Sequence, residues 1–465
     1  MPKKSDMNTR TMPPPGAAIT GALILAAAGV ELAVNLPGHL SYDSIEQLFQ
    51  GRSGVYNSWH PPVMAWLLGL GDALIPGSAL FVVFDAILCF GAFLSLLAFA
   101  SPKAAWPSIC IAVPCLLTPQ LTLYQGLVWK DVLFANAAVA SFVCLAHVAR
   151  VWPNYGQRVA AATLAFTLLV LASLTRQNGV VVLPFAAAAF GFIVMRHSAR
   201  MRTGVAFGIV ALIATALAVL AANWLLNLRS DGEPATREQI KLLQVYDLAG
   251  ALAAEPTLRL DRLSAKEPAL ERALRTEGVR LYTPVRNDPM ASSQIVEQAM
   301  AAANDDTVSS QWFDLIIFHP SLYLRTRAEV FWWLIATPDI EASRPVFTGV
   351  DGSADEMREL GIAARKDARD LALDRYGKFF EHTPVFSHFT FVILGVASTV
   401  LLLRRRRPED IAMFSLLLAA FVFCASFFVI SISCDYRYLY VLDLSAMIVL
   451  FYLTLDTEGL FEDWR

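Results

Sequence analysis

Apolar residues in this chain come in blocks long enough to cross a bilayer, and that one property decides most of its architecture. A helix needs roughly 20 predominantly apolar residues to span the hydrocarbon core. Blocks of about that kind fall at 16–36, 78–100, 104–118, 131–149, 159–174, 179–195, 203–226, 385–403, 411–431 and 437–455. Backbone N–H and C=O groups in hydrocarbon must bond within their own segment, so each block is expected to be a helix. Composition agrees: 56% of residues are hydrophobic and 17% charged, against about a quarter charged in a soluble domain. The expected fold class is an all-α polytopic membrane protein with about ten transmembrane helices plus juxtamembrane helices. The 104–118 block is short and contains Pro114. The stretch from Pro61 to Ile75 opens with Pro61-Pro62 and is also short, so it is read as a helix lying at the interface.

Charge orients these spans. Short cytoplasmic loops are enriched in Lys and Arg. With the N-terminus inside, Lys3, Lys4 and Arg10, then Lys103, then Arg150 and Arg158, then Arg196, Arg200 and Arg202, and finally Arg404 to Arg407 all fall on one side. Counting 61–75 as a further span breaks the pattern from Lys103 onward. The basic N-terminus and Pro13-Pro14-Pro15 precede an apolar run without a small-residue cleavage site, which predicts a signal anchor retained as the first span. The net charge of -3 and the lack of a basic tract give no nucleic-acid partner. The six cysteines (Cys89, Cys110, Cys115, Cys144, Cys424 and Cys434) have no CxxC spacing and read as packing residues.

The same count puts one long polar segment, 227–384, outside. Ile240, Leu243, Leu248 and Ala251, and later Leu360, Ala364, Ala368 and Leu371, recur at helical spacing, and Asn287-Asp288-Pro289 marks a turn. The expected organisation is a 1–226 membrane module with seven spans, a mostly helical 227–384 extracytoplasmic domain, and a 385–465 module with three spans.

The polar residues of the short outer loops are the candidates for chemistry. The first loop carries Ser41-Tyr42-Asp43-Ser44-Ile45-Glu46-Gln47 and Trp59-His60-Pro61-Pro62. The second carries Tyr124-Gln125-Gly126 and Trp129-Lys130-Asp131; the third, Thr175-Arg176-Gln177-Asn178-Gly179; the last, Cys434-Asp435-Tyr436-Arg437-Tyr438-Leu439-Tyr440. Lys130, Arg176 and Arg437 defy the positive-inside rule at one face, which suggests a bound anion such as a lipid phosphate. Asp43 and Asp131 share that face. A carboxylate beside cations suits group transfer from a phospholipid-like donor: the carboxylate takes the acceptor's proton while the cations stabilise the departing phosphate. The structural alternatives are helix capping for Asp43, turn ordering for His60, ion pairing for Asp131 and an aromatic belt for Tyr436, Tyr438 and Tyr440. Asp85 and Asp443, inside spans, read as interhelical pairs. The run around Tyr323, Arg325 and Arg327 into 330–335 reads as an amphipathic helix on the membrane with its cations at headgroups.

These residues carry a resemblance. An Asp in the first outer loop with a Gln after it, His60-Pro61-Pro62 leading into a juxtamembrane helix, and Tyr436-Arg437-Tyr438-Leu439-Tyr440 opening the last span resemble the GT-C superfamily. This is the group of integral-membrane glycosyltransferases that includes protein O-mannosyltransferases and the aminoarabinose transferases of lipid A. The resemblance implies a polyprenyl-phosphate sugar as donor and an inverting displacement at the anomeric carbon. Asp43 matches the family's general base; Asp131, read from its place beside these cations, is a candidate second acid or substrate-binding group. Lys130, Arg176 and Arg437 fall where phosphate-binding cations are expected. Gln47, His60, Tyr124, Asn178, Tyr436 and Tyr438, on the same loops, are candidate substrate contacts. Protein O-mannosyltransferases have Asp-Glu in the first loop, whereas Ser44 follows Asp43 here, which points away from a protein acceptor and toward a cell-envelope glycan or glycolipid such as lipopolysaccharide. There is no Asp-X-Asp motif of the oligosaccharyltransferase branch, so no required metal is implied, with an assisting divalent cation left open. The implied location is the bacterial inner (cytoplasmic) membrane, among membrane lipids, with the site facing the periplasm. Two other classes compete: a transporter or flippase of a lipid-linked anion, which calls for repeats, broken helices and midplane polar residues, and a non-catalytic assembly or sensor protein.

Overall fold

The computed structural model describes residues 15–57, 59–101, 105–228 and 236–458. Lys3, Lys4, Arg10 and Lys103, and the prolines ahead of Pro15, lie outside them. Nine helices among the described residues are long and apolar enough to cross a membrane: Pro15–Asn35, Ala79–Phe99, Lys130–Arg150, Tyr155–Thr175, Gly179–Ser198, Met201–Asn227, His388–Arg405, Asp410–Ile430 and Tyr436–Leu455. Each falls on a block marked by hydropathy.

The remaining block is a broken helix. Trp106–Leu116 meets Pro119–Gly126 at a bend of 74°. Pro114 lacks the N–H a helix interior needs, and Thr118, ahead of Pro119, is extended. The chain enters at Ser101, whose N–H bonds to Leu455 O at 2.8 Å, and leaves at Leu127, which bridges to His39. The bent pair therefore carries the chain from one end of the bundle to the other and keeps the alternation of loops intact.

Burial sorts the spans. In Lys130–Arg150 and Tyr436–Leu455, 89% and 83% of the span residues are buried, against 17% in Met201–Asn227. The first two form the axis, and the candidate residues Lys130, Asp131 and Arg437 stand in their opening turns. Inside the bundle, Asp443 Oδ1 meets His388 Nδ1 at 2.8 Å and its Oδ2 accepts from Tyr436 Oη at 2.6 Å, while Asn136 Nδ2 donates to Asp85 Oδ1 at 3.3 Å. Both acids pair between helices. The basic residues of the short loops gather at the opposite end: Arg405 pairs with Asp410 at 2.5 Å, Arg407 pairs with Asp456, and Arg158 stacks on Trp152.

The first loop folds into Tyr42–Ser53 and Pro62–Leu74, two helices too short to cross. They cross backbone to backbone at Gly51 and Gly69. A Cβ on Gly51 would lie 2.2 Å from Ala65 O and 2.7 Å from Gly69 N, so no larger residue fits without separating them.

The polar segment after Met201–Asn227 packs in two places. Thr236–Ala254, Asp305–Phe318 and Pro320–Ala336 enclose a core of their own, with Val245, Leu248, Leu263, Leu274, Val308 and Leu315. From Leu334 onward, Ile340, Val350, Leu360 and Phe386 join the core of the membrane bundle instead. The Pro320–Ala336 helix corrects one expectation. Arg327 is not at lipid headgroups; it is fully buried, pairs with Asp247 at 2.8 Å and donates to Phe428 O and Ser431 O, both at 2.8 Å. It bolts the insert to the end of Asp410–Ile430.

Isolated β-bridges weld the loops together. His39 and Leu127 pair in parallel, as do Leu40 and Val350, and Val350 pairs antiparallel with Arg365. No extended strand occurs among the described residues, and the chain is an all-α polytopic membrane protein.

Candidate functional site

Asp43 sits in the first turn of Tyr42–Ser53. Ser41 occupies the cap position there, and its N–H donates to Ser44 Oγ at 3.2 Å. The cap is thus supplied by serines, and the Asp43 carboxylate is free to point elsewhere. It points at Arg437, 394 residues away in sequence, and accepts from Arg437 Nη2 at 2.9 Å. Arg437 Nε lies 3.8 Å from Asp131 Oδ2 and its Nη2 lies 3.5 Å from Asp435 Oδ2. The guanidinium rests over the Trp129 ring, 4.9 Å from its centroid. Asp131 pairs on its other side with Arg176, which is wrapped by Phe423, Phe427 and Tyr438. Lys130 donates from Nζ to His60 Nδ1 at 2.8 Å, and His60 Nε2 faces Glu46 Oε2 at 3.9 Å.

Asp43, Lys130, Asp131, Arg176, Arg437 and His60 therefore form one continuous charged cluster at the end of the bundle away from the basic loops. A cavity of about 470 Å³ opens on it, lined by Tyr42, Asp43, Trp129, Arg344, Phe347, Asp351, Asp435 and Arg437 among others. Asp43 and Arg437 reach its wall. Asp131 and Arg176 do not: they are 2% and 8% exposed and stand behind it. Asp131 is thus held between two guanidinium groups behind the wall, a position suited to fixing the two cations.

Electrostatics separates the titratable groups. Burial pushes the Asp43 carboxyl toward its neutral form, but the Arg437 charge and the other cationic neighbours outweigh it and lower the carboxyl to about 2. Burial and Lys130 lower His60 to about 3, so it is a neutral imidazole whose Nδ1 accepts a hydrogen bond from Lys130.

The other expected contacts divide. Tyr124 and Tyr436 are fully buried and satisfied within the protein: Tyr124 Oη donates to Pro345 O at 2.7 Å, and Tyr436 Oη to Asp443. Neither lines the cavity of about 470 Å³. Gln47 is buried, its Nε2 donating to Asp43 O at 3.1 Å. Asn178 Nδ2 donates to Ser426 Oγ at 3.1 Å, and Tyr438 stacks on Phe427.

Sequence reasoning missed Asp435 as a partner of Arg437, and missed the wall formed by Arg344, Val346, Phe347, Asp351 and Gly352 altogether. Asp435, two residues before Arg437, was open to inspection. The 344–352 segment lies deep in the long insert and shows no pattern beyond its glycines and Pro345. Arg344 there adopts φ 46, a left-handed backbone unusual outside glycine. Among the described residues no group of three or more His, Cys, Asp or Glu side chains is set to hold a metal ion.

No family model and no curated protein matches the chain. Three solved structures of an Archaeoglobus fulgidus oligosaccharyltransferase are similar to it. One is the archaeal oligosaccharyltransferase AglB in complex with an inhibitory peptide and a dolichol-phosphate, 12% identical with a TM-score of 0.39, covering 94% of this chain and 50% of that one. The apo form is 14% identical with a TM-score of 0.41, covering 93% and 50%. The form tethered to an acceptor peptide containing the NVT sequon is 12% identical with a TM-score of 0.40, covering 94% and 49%. The chain thus spans about half the length of the solved structures to which it is similar.

Proposed function

We propose that the chain is a membrane glycosyltransferase of the GT-C type, moving a sugar from a polyprenyl phosphate to an acceptor in the extracytoplasmic space. The observation that carries this reading is the contact of Asp43 with Arg437 at 2.9 Å on the wall of a cavity of about 470 Å³, backed by Lys130 and Arg176. The acceptor hydroxyl attacks the anomeric carbon from the side opposite the phosphate. Its proton passes to an Asp43 carboxylate oxygen, the new C–O bond forms, and the bond to phosphate breaks with its electron pair left on the phosphate. Arg437 meets that charge directly, and Lys130 and Arg176 add their field from behind. The basic loops mark the cytoplasmic side, so the cavity opens outward, to the periplasm in a bacterial inner membrane. A cell-envelope glycan or glycolipid suits the open, aromatic- and arginine-lined wall as acceptor. The first module then supplies the base, the insert the acceptor wall, and the last module the phosphate-binding arginine.

The broken helix at Leu116–Pro119 is a feature that favours a transporter. Its polar side chain Gln120 is nevertheless committed within the protein, to Val385 O at 2.7 Å and Tyr436 Oη at 3.1 Å. Incubating purified protein with radiolabelled polyprenyl-phosphate sugars and envelope glycans tests the choice. The expected outcome is label on the glycan, lost by about 100-fold or more in Asp43→Asn, the scale of a missing general base. Transfer by Asp43→Asn at the wild-type rate, or lipid movement without transfer, rejects the assignment.

A further inference from the structure

Arg437 faces more carboxylates than one cation neutralises. Its guanidinium faces Asp43 at 2.9 Å, Asp435 at 3.5 Å and Asp131 at 3.8 Å. These three are not equivalent. Asp131 is fully buried and already paired with Arg176. Asp435 has Arg286 at 3.9 Å and Ser433 Oγ at 3.3 Å. Asp43 has only Arg437 as a direct ion-pair partner among the described residues, and its side chain is 32% exposed on the cavity wall. The guanidinium is meanwhile held in place by Trp129 beneath it and by the two pinned carboxylates. Asp43 is thus the partner best able to let go, and the arginine it would leave lines the cavity.

We propose that the anionic phosphate of the lipid-linked donor displaces Asp43 from Arg437, and that this exchange of counter-ions is what frees Asp43 to take the acceptor's proton. A phosphate oxygen accepts from a guanidinium as a carboxylate does, with the same charge-assisted bond. The exchange explains how one residue pair serves both steps: while paired, Asp43 is held near 2 and is a feeble base at neutral pH. Removing the arginine's charge and placing a phosphate beside it both act to raise it. Without donor, the base stays shut off, which protects the site from idle proton transfer. The inference rests on the donor reading above.

The test measures binding rather than turnover. The full-length protein in lipid nanodiscs is titrated with a sugar-free polyprenyl phosphate. Wild type, Asp43→Asn, Asp43→Glu and Asp435→Asn are compared, with the thermal midpoint of each as a check on folding. Asp43→Asn, although inactive, is expected to bind the lipid phosphate about fivefold more tightly than wild type, the worth of a partly exposed ion pair. Asp43→Glu, which keeps a carboxylate on Arg437, is expected to bind as wild type does. Asp435→Asn removes the same charge from the same guanidinium without touching the exchange and is expected to gain less. Equal gains in Asp43→Asn and Asp435→Asn reduce the effect to general repulsion and overturn the exchange. So does binding by Asp43→Asn no tighter than by wild type. Absence of binding in every protein instead removes the donor reading itself, and the exchange with it.

Discussion

Asp131 and Arg176 show how much a single buried ion pair constrains its surroundings. Removing one partner strands the other's charge in a low-dielectric site, which typically costs about 3–5 kcal/mol. Arg176→Leu is expected to lower the thermal midpoint strongly, while Arg176→Leu combined with Asp131→Asn recovers much of the loss; a double-mutant cycle by thermal melting reads the difference. His39 is a second constrained residue. It is fully buried, its Nδ1 accepts from Gly349 N–H at 2.9 Å, and its Nε2–H donates to Asn35 Oδ1 at 3.0 Å, an arrangement open only to the neutral ring. Burial lowers its pKa to about 4 from 6.5. A base depressed on folding stabilises the protein fully above its unfolded pKa, and that contribution is lost as pH falls from 6.5 through about 4. The thermal midpoint is expected to drop over that window, and less steeply in His39→Gln. Sequence pointed to Lys130, Arg176 and Arg437 because cations in short outer loops break the positive-inside rule, and to Asp43 because it shares their face. His39 breaks no such rule, and its role comes from a neighbour more than 300 residues away.

Among elements, the crossing of Tyr42–Ser53 and Pro62–Leu74 matters most to the site, because one helix carries Asp43 and the other follows His60. Gly51→Ala is expected to force the two apart at a cost of about 1–3 kcal/mol, as overpacking does, and to displace both side chains. A lowered thermal midpoint with reduced transfer checks it. Gly91→Ala is the matched control: nothing stands within 4 Å of its Cβ, so the change is expected to be neutral or slightly stabilising. The elements were the most readable level. Blocks of about 20 apolar residues admit only one secondary structure in lipid, and the interface placement of 61–75 followed from its length. The bend at 116–119 left a trace in Pro114 and Pro119, but the three bridges joining His39, Leu40, Leu127, Val350 and Arg365 were not readable, since a single pair of extended residues leaves no periodicity to detect.

At the level of the whole molecule, alternation of crossings groups loops by side without fixing any distance between them. That is why sequence could gather four loops at one face but not tell the cavity wall (Asp43, Arg437) from the layer behind it (Asp131, Arg176). The orientation itself can be tested. In a Cys110→Ser background, Arg259→Cys in the insert is expected to react with a membrane-impermeant maleimide in intact cells, and Arg404→Cys only after permeabilisation. The reverse pattern turns the molecule over. One further consequence lies in the order in which the protein is made. Asp43 emerges from the ribosome soon after the Pro15–Asn35 span, but its counter-charge is made only with the Tyr436–Leu455 span. Throughout synthesis the carboxylate waits without its arginine, and a message truncated anywhere upstream of Tyr436 yields a product that occupies lipid yet lacks half of the working pair. The centre is complete only once the chain has been made through Arg437.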